Sequence, residues 1–166
     1  SIENIPLIKK METNGEEFTY IFKYNNESES FFDRLRVFDL SNNIINKFRK
    51  RNKYRIQITE NIFQLFPIEF SLTEDGTNKA NGYEYTYNIN YYGEQGLSTG
   101  YVEIDVTYDF PLKIYYYLKG ETRQGIFIDI LEDNESVRNY NSSTVPYLDR
   151  YNMILSDDKV DISDNE

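Results

Sequence analysis

The amino-acid sequence predicts a mainly β protein: a single antiparallel β-sandwich or partly closed barrel, with one short helix at about 42–50 and an extended C-terminal arm. Three observations predict it. Apolar and polar residues alternate in a series of short runs. Tyrosine and phenylalanine, 16 and 11 of the 166 residues, supply the large side chains that pleated surfaces favour. Between the runs lie Gly-, Asn- and Pro-containing segments suited to turns.

In chain order, Phe18, Tyr20, Phe22 and Tyr24 alternate with Thr19, Ile21 and Lys23, the period-two pattern of a half-buried strand. Arg34 to Phe38 fits a short strand, while Phe31, Leu35 and Phe38 also fit one helical face. Ser41 reads as the N-cap of a helix over NNIINKFRK, with Ile44, Ile45 and Phe48 on one side and cations in the last turn. Tyr54, Ile56 and Ile58 alternate next, and after Pro67 so do Ile68, Phe70 and Leu72. The polar segment EDGTNKANG then reads as a turn.

A long hairpin follows. Tyr83, Tyr85, Tyr87, Ile89 and Tyr91 form one apolar row, GEQGLSTG the loop, and Val102, Ile104 and Val106 the return row. After Pro111, Leu112, Ile114, Tyr116 and Leu118 face one way, and Ile126, Ile128 and Ile130 answer them across KGETRQG, a second hairpin. The β-rich domain is thus expected to span 1–131. Residues 132–166 turn acidic and polar around isolated apolar groups, and read as an extended arm that only a partner would order.

Composition excludes several chemistries. With no cysteine there is no disulfide framework, thiolate nucleophile or Cys-based zinc site, and with no histidine the usual general base and imidazole ligand are absent. Ser-His-Asp and Cys-His triads cannot be built. Gly93, Gly96 and Gly100 sit in a hairpin loop with no following helix, so no phosphate cradle is indicated. Glu103 and Asp105, two apart on one strand, would project from one face about 7 Å apart, a spacing carboxylate pairs use in glycoside hydrolysis. An acidic solvent face gives the same pattern. Asp157, Asp158, Asp161 and Asp164 lack EF-hand spacing. The expectation is a non-enzyme with no cofactor and no metal.

The apolar stretches, chiefly Ile62–Phe70 and Ile126–Leu131, are too short to span a bilayer. The opening SIENIPLIKK, acid before base with no apolar run, does not read as a secretory leader. Asn26-Glu27-Ser28, Asn134-Glu135-Ser136 and Asn141-Ser142-Ser143 match the glycosylation acceptor pattern, at about the frequency this composition gives by chance. The richness in Asn, Ile and Tyr suggests an AT-rich genome, as in some bacteria, their phages or protists.

The net charge of −10 hides a strong polarity. Residues 1–33 carry −4, 34–55 carry +7, 56–128 carry −6 and 129–166 carry −7. The basic island holds Arg34, Arg36, Lys47, Arg49, Lys50, Arg51, Lys53 and Arg55. It reads as the polar face of a surface helix, or as a dock for an acidic surface of this chain or of a neighbour. A nucleic-acid role is unfavourable on so acidic a chain.

The tyrosine excess is the one compositional feature that suggests a use. Tyr92, Tyr101, Tyr115 and Tyr117 fall outside the buried Tyr row, and such rings presented to solvent make a rigid amphipathic platform. The sequence therefore predicts a structural or assembly protein that binds neighbouring protein subunits, such as a phage or viral particle subunit. Its contacts would be Arg49, Lys50, Arg51 and Lys53, the four tyrosines, and Tyr147, Leu148, Ile154 and Leu155 of the arm. The expected location is a virion or other assembly, and otherwise the cytoplasm. The alternatives are a small acidic inhibitor or anti-defence protein directed at a basic target, and a carbohydrate-binding adhesin domain.

Overall fold

A computed structural model describes residues 13, 15–74, 84–120 and 126–132. Among these residues ten strands form two packed sheets that do not close into a barrel. The six-stranded sheet has the order β3-β2-β1-β5-β8-β7 and the four-stranded sheet the order β4-β10-β9-β6. In chain order the strands are β1 (Glu17–Tyr24), β2 (Leu35–Asp39), β3 (Ile44–Ile45), β4 (Lys47–Arg49) and β5 (Lys53–Gln57). A one-turn helix, α1 (Ile62–Leu65), leads to β6 (Ile68–Ser71). Then come β7 (Ile89–Tyr92), β8 (Tyr101–Asp105), β9 (Lys113–Leu118) and β10 (Phe127–Leu131).

The alternating rows pack as a sandwich requires. Phe22, Leu35, Val37, Ile56, Val102 and Ile104 of the larger sheet meet Phe48, Ile68, Phe70, Ile114, Tyr116, Leu118 and Ile128 of the smaller one, all buried. At one end of the core Tyr54 lies between Phe18 (5.4 Å, 13°) and Phe48 (3.8 Å, 6°). Its hydroxyl accepts hydrogen bonds from the Arg49 backbone N–H (2.7 Å) and from Asn52 Nδ2 (3.1 Å). Burial raises the pKa of the Tyr54 hydroxyl, and pushes that of Tyr20 beside it up to about 12.

Two expectations need correction. The sheets are mixed and not purely antiparallel: β1 runs parallel to β5, and β4 parallel to β10. In addition, no helix forms at 42–50; this stretch holds β3, β4 and the step between the two sheets. The Asp39 carboxylate decides the matter. It accepts N–H bonds from Ser41 (2.9 Å) and Asn43 (2.8 Å), which holds a turn where an N-cap was expected, and Asn42 takes φ 71°. These bonds favour the ionised form and hold the Asp39 carboxyl below its ordinary value. The apolar spacing that suggested one helical face instead serves two sheets: Ile45 pairs with Val37, and Phe48 with Ile130.

Both expected hairpins form, as β7–β8 and β9–β10. The first is shorter than the Tyr row implies. Tyr87 and Asn88 make a turn, Asn88 has φ 59°, and the strand starts at Ile89. Tyr83 and residues 75–82 of the turn segment before it lie outside the described residues. The loop between β7 and β8 folds back on the body. A Cβ at Gly96 (φ 92°) would meet Gln64, and one at Gly100 would meet the Glu94 and Ile58 carbonyls. Beside them, Gln95 accepts from the Ile68 N–H (2.6 Å) and donates to the Ile68 carbonyl (3.1 Å), occupying the outer edge of β6 as a neighbouring strand would. The Tyr85 N–H continues that cover by donating to Phe70 O (2.7 Å). Among the described residues no helix is long and apolar enough to cross a membrane.

Candidate binding face

Strand registers place one residue from each of six strands in a single line on the outer side of the larger sheet. Tyr92 pairs with Tyr101, Tyr101 with Gln57, Gln57 with Ile21, Ile21 with Phe38, and Phe38 with Ile44. Five of the six are apolar or aromatic. At about 4.8 Å per strand the line is roughly 24 Å long. Its ends are the most open, Tyr92 being 44 % and Ile44 51 % exposed, and the residues between are half-buried. The Tyr92 and Tyr101 rings stack at 5.0 Å and 20°.

Charged neighbours flank the line, four of them joined in two ion pairs. Arg55 bonds Glu103 at 2.8 Å and lies over the Tyr101 ring at 4.5 Å; Lys53 faces Asp105 at 3.9 Å; Lys23 lies over Phe38 at 5.1 Å. Glu17 sits beside Lys53 in the register. Burial, with Glu103 and Glu17 nearby, raises the Asp105 carboxyl, and Lys53 opposes that shift. Glu103 and Asp105, the carboxylate pair noted in the sequence, thus each stand opposite a cation. That arrangement fits an ion-pair ladder along the sheet.

The other expected contacts disperse. Tyr115 and Tyr117 lie on the outer side of the opposite sheet. Tyr115 meets Phe127 edge-on at 6.0 Å; Tyr117 is buried and donates to Glu69 Oε1 at 2.8 Å. Lys50 is 1 % exposed, its ammonium 3.3 Å from Glu132, and the buried Arg51 guanidinium lies over Tyr108 at 5.9 Å. These two residues belong to the interior because the expected surface helix is replaced by a strand-to-strand corner. There Arg51 takes φ 74° and donates its N–H to Val106 O, with Val106 N–H returning a bond to Asn52 O. Arg49 reaches the Glu132 carbonyl at 2.6 Å, and the Lys50 N–H donates to Leu131 O at 2.8 Å. The basic island thus already holds acids of its own chain, and Glu132, the first residue of the expected arm, is one of them. Tyr147, Leu148, Ile154 and Leu155 lie outside the described residues.

A second polar cluster gathers at the margin of β6 and β9. Glu69 takes the Tyr117 bond and stands 3.6 Å from Lys119. Burial and the Glu69 charge raise the Glu84 carboxyl, while among the described residues the buried Tyr91 hydroxyl near them has no hydrogen-bond partner. Among the described residues no group of three or more carboxylates is placed to hold a metal ion. No family model, curated protein or solved structure matches this chain.

Sequence reasoning picked out Tyr92 and Tyr101 but missed Ile21, Phe38, Ile44 and Gln57. Their signal lay in the off-phase positions of the amphipathic strands: Ile21 within the Phe18–Tyr24 run and Phe38 beside Val37 are apolar where alternation calls for polar. An apolar residue on a solvent phase is the legible trace of a contact face.

Proposed function

We propose that this chain is a non-enzymatic assembly protein whose six-stranded face docks a neighbouring protein subunit. The observation that carries the reading is the unbroken line Tyr92–Tyr101–Gln57–Ile21–Phe38–Ile44, flanked by paired charges. Protein interfaces favour such an aromatic and aliphatic centre with a polar rim. A particle subunit, viral or phage, is the assembly we favour, in keeping with the sandwich body, the AT-rich coding signature and the lack of His and Cys. The acidic-inhibitor alternative fits less well, because Glu103 and Asp105 on this face stand opposite Arg55 and Lys53.

The test is native sizing of the tagged chain from cells that make it. The reading expects wild type in a high-mass fraction and Phe38→Glu/Tyr101→Glu as free protein with an unchanged melting temperature. Free wild-type protein, or a variant that stays in the high-mass fraction, contradicts it. The carbohydrate alternative rests on the stacked Tyr92–Tyr101 pair. It requires glycan binding that is lost in Tyr92→Ala.

A further inference from the structure

We infer that the partner of this face is a second copy of the chain, related by a two-fold axis parallel to the strands; this rests on the assembly reading above.

The strand directions allow it. β1 and β5, the central pair of the sheet, run parallel, and each is followed outward by an antiparallel neighbour and then by another. Read from either edge, the sequence of directions is therefore the same. When two such faces meet about an axis along the strands, β1 of one copy lies over β5 of the other, β2 over β8 and β3 over β7, at equal height in the register. Ile21 then faces Gln57, Phe38 faces Tyr101, and Ile44 faces Tyr92, each contact made twice as a closed two-fold pair requires. Aligned sheets cross at about 30°, so the match is closest at the centre.

Charge points the same way. Glu17 and Lys53 share one height on the two central strands, so each Glu17 meets the Lys53 of the second copy. The face carries four cations (Lys23, Arg36, Lys53, Arg55) against three acids (Glu17, Glu103, Asp105), with Arg36 neutralised by Asp33 at 3.1 Å, while the chain as a whole carries −10. Two copies that repel elsewhere meet here without net repulsion. A footprint of about 24 by 17 Å is roughly 400 Å² per copy, under the ~800 Å² of a standard stable interface, so the isolated pair is a weak one that dissociates at about 10–1,000 μM, and it persists in cell extract only where further contacts of the assembly add to it.

Charge reversal tests the arrangement by sedimentation equilibrium of the full chain up to about 1 mM. Glu17→Lys alone sets two cations against each other across the axis, and Lys53→Glu alone sets two carboxylates against each other, so each variant should dimerise about tenfold more weakly than wild type. In an equimolar mixture both contacts become opposite-charge pairs again, and dimer should return to near the wild-type level. Thermal melts of the dilute variants show that the monomers are folded. The inference is overturned by wild type that stays monomeric throughout, by single variants that pair like wild type, or by a mixture no tighter than its components. The assembly reading falls separately, on the sizing experiment in cell extract.

Discussion

Lys50 offers the sharpest energetic test of the fold. Its side chain is 1 % exposed, and among the described residues its ammonium pairs with Glu132 at 3.3 Å, itself 54 % exposed. Two opposed effects meet there. The four-carbon stem fills core volume, and truncation to Ala removes three methylenes at about 0.8 kcal/mol each plus a cavity contribution, roughly 2–4 kcal/mol in all. The ammonium, by contrast, is held out of water by a partner that is itself half hydrated. Such a pair is weak evidence of stabilisation, and an apolar isostere is often neutral or better. Lys50→Met, which keeps the stem and discards the charge, should therefore fall within about 1 kcal/mol of wild type, on either side. Glu132→Gln strips the countercharge from a buried ammonium. The roughly 3–5 kcal/mol typical of a broken buried pair is reduced by the water around Glu132 to about 1–2 kcal/mol. Urea unfolding of the four proteins orders them as Lys50→Met close to wild type, then Glu132→Gln, then Lys50→Ala. A Met variant as unstable as the Ala variant would refute the reasoning, since the ion pair and not the stem would then hold the corner.

Three further expectations follow from the same geometry. Tyr54→Phe keeps the ring stack but removes the acceptor of two hydrogen bonds, and should cost about 1–3 kcal/mol in urea unfolding; a cost near zero would mean that water replaces the hydroxyl. Gln95→Ala uncovers the Ile68 N–H and carbonyl on the β6 edge, so it should lower stability by about 1–2 kcal/mol and speed aggregation on heating; unchanged light scattering would deny Gln95 its edge-covering role. Stability should also fall at alkaline pH. Tyr20, Tyr85 and Tyr116 are pushed up to about 12 by burial, so between pH 10 and 12 the unfolded chain gives up protons that the folded one retains. The contribution is complete below pH 10 and is lost as pH rises through 12. A urea midpoint constant across that window would contradict the burial of these rings.

Much of the fold was legible because strand rows obey a local rule. Phe18–Tyr24, Tyr54–Ile58 and Val102–Val106 alternate in sequence and became β1, β5 and β8 with boundaries moved by only a residue or so. What escaped was non-local. Nothing near Glu17 indicates that β1 will pair in parallel with β5, and nothing near Lys47 foretells β10, some eighty residues on. The helix expected over 42–50 failed because a single carboxylate, Asp39, captured the N–H groups a helix start would have used. Ile44, Ile45 and Phe48 then satisfied two sheets at a spacing that imitates one helical face. The same limit governs the binding face: Ile21, Phe38 and Gln57 become neighbours only through register.

The central claim is that the outer side of the six-stranded sheet is where this protein meets another. A photo-activated cross-linker placed at Gln57, the middle of the line, and in a second protein at Tyr115 on the opposite sheet, tests it most directly in cells that make the chain. The account predicts a discrete protein adduct from position 57, with none from position 115. Adducts from 115 alone, or from neither position, would contradict it.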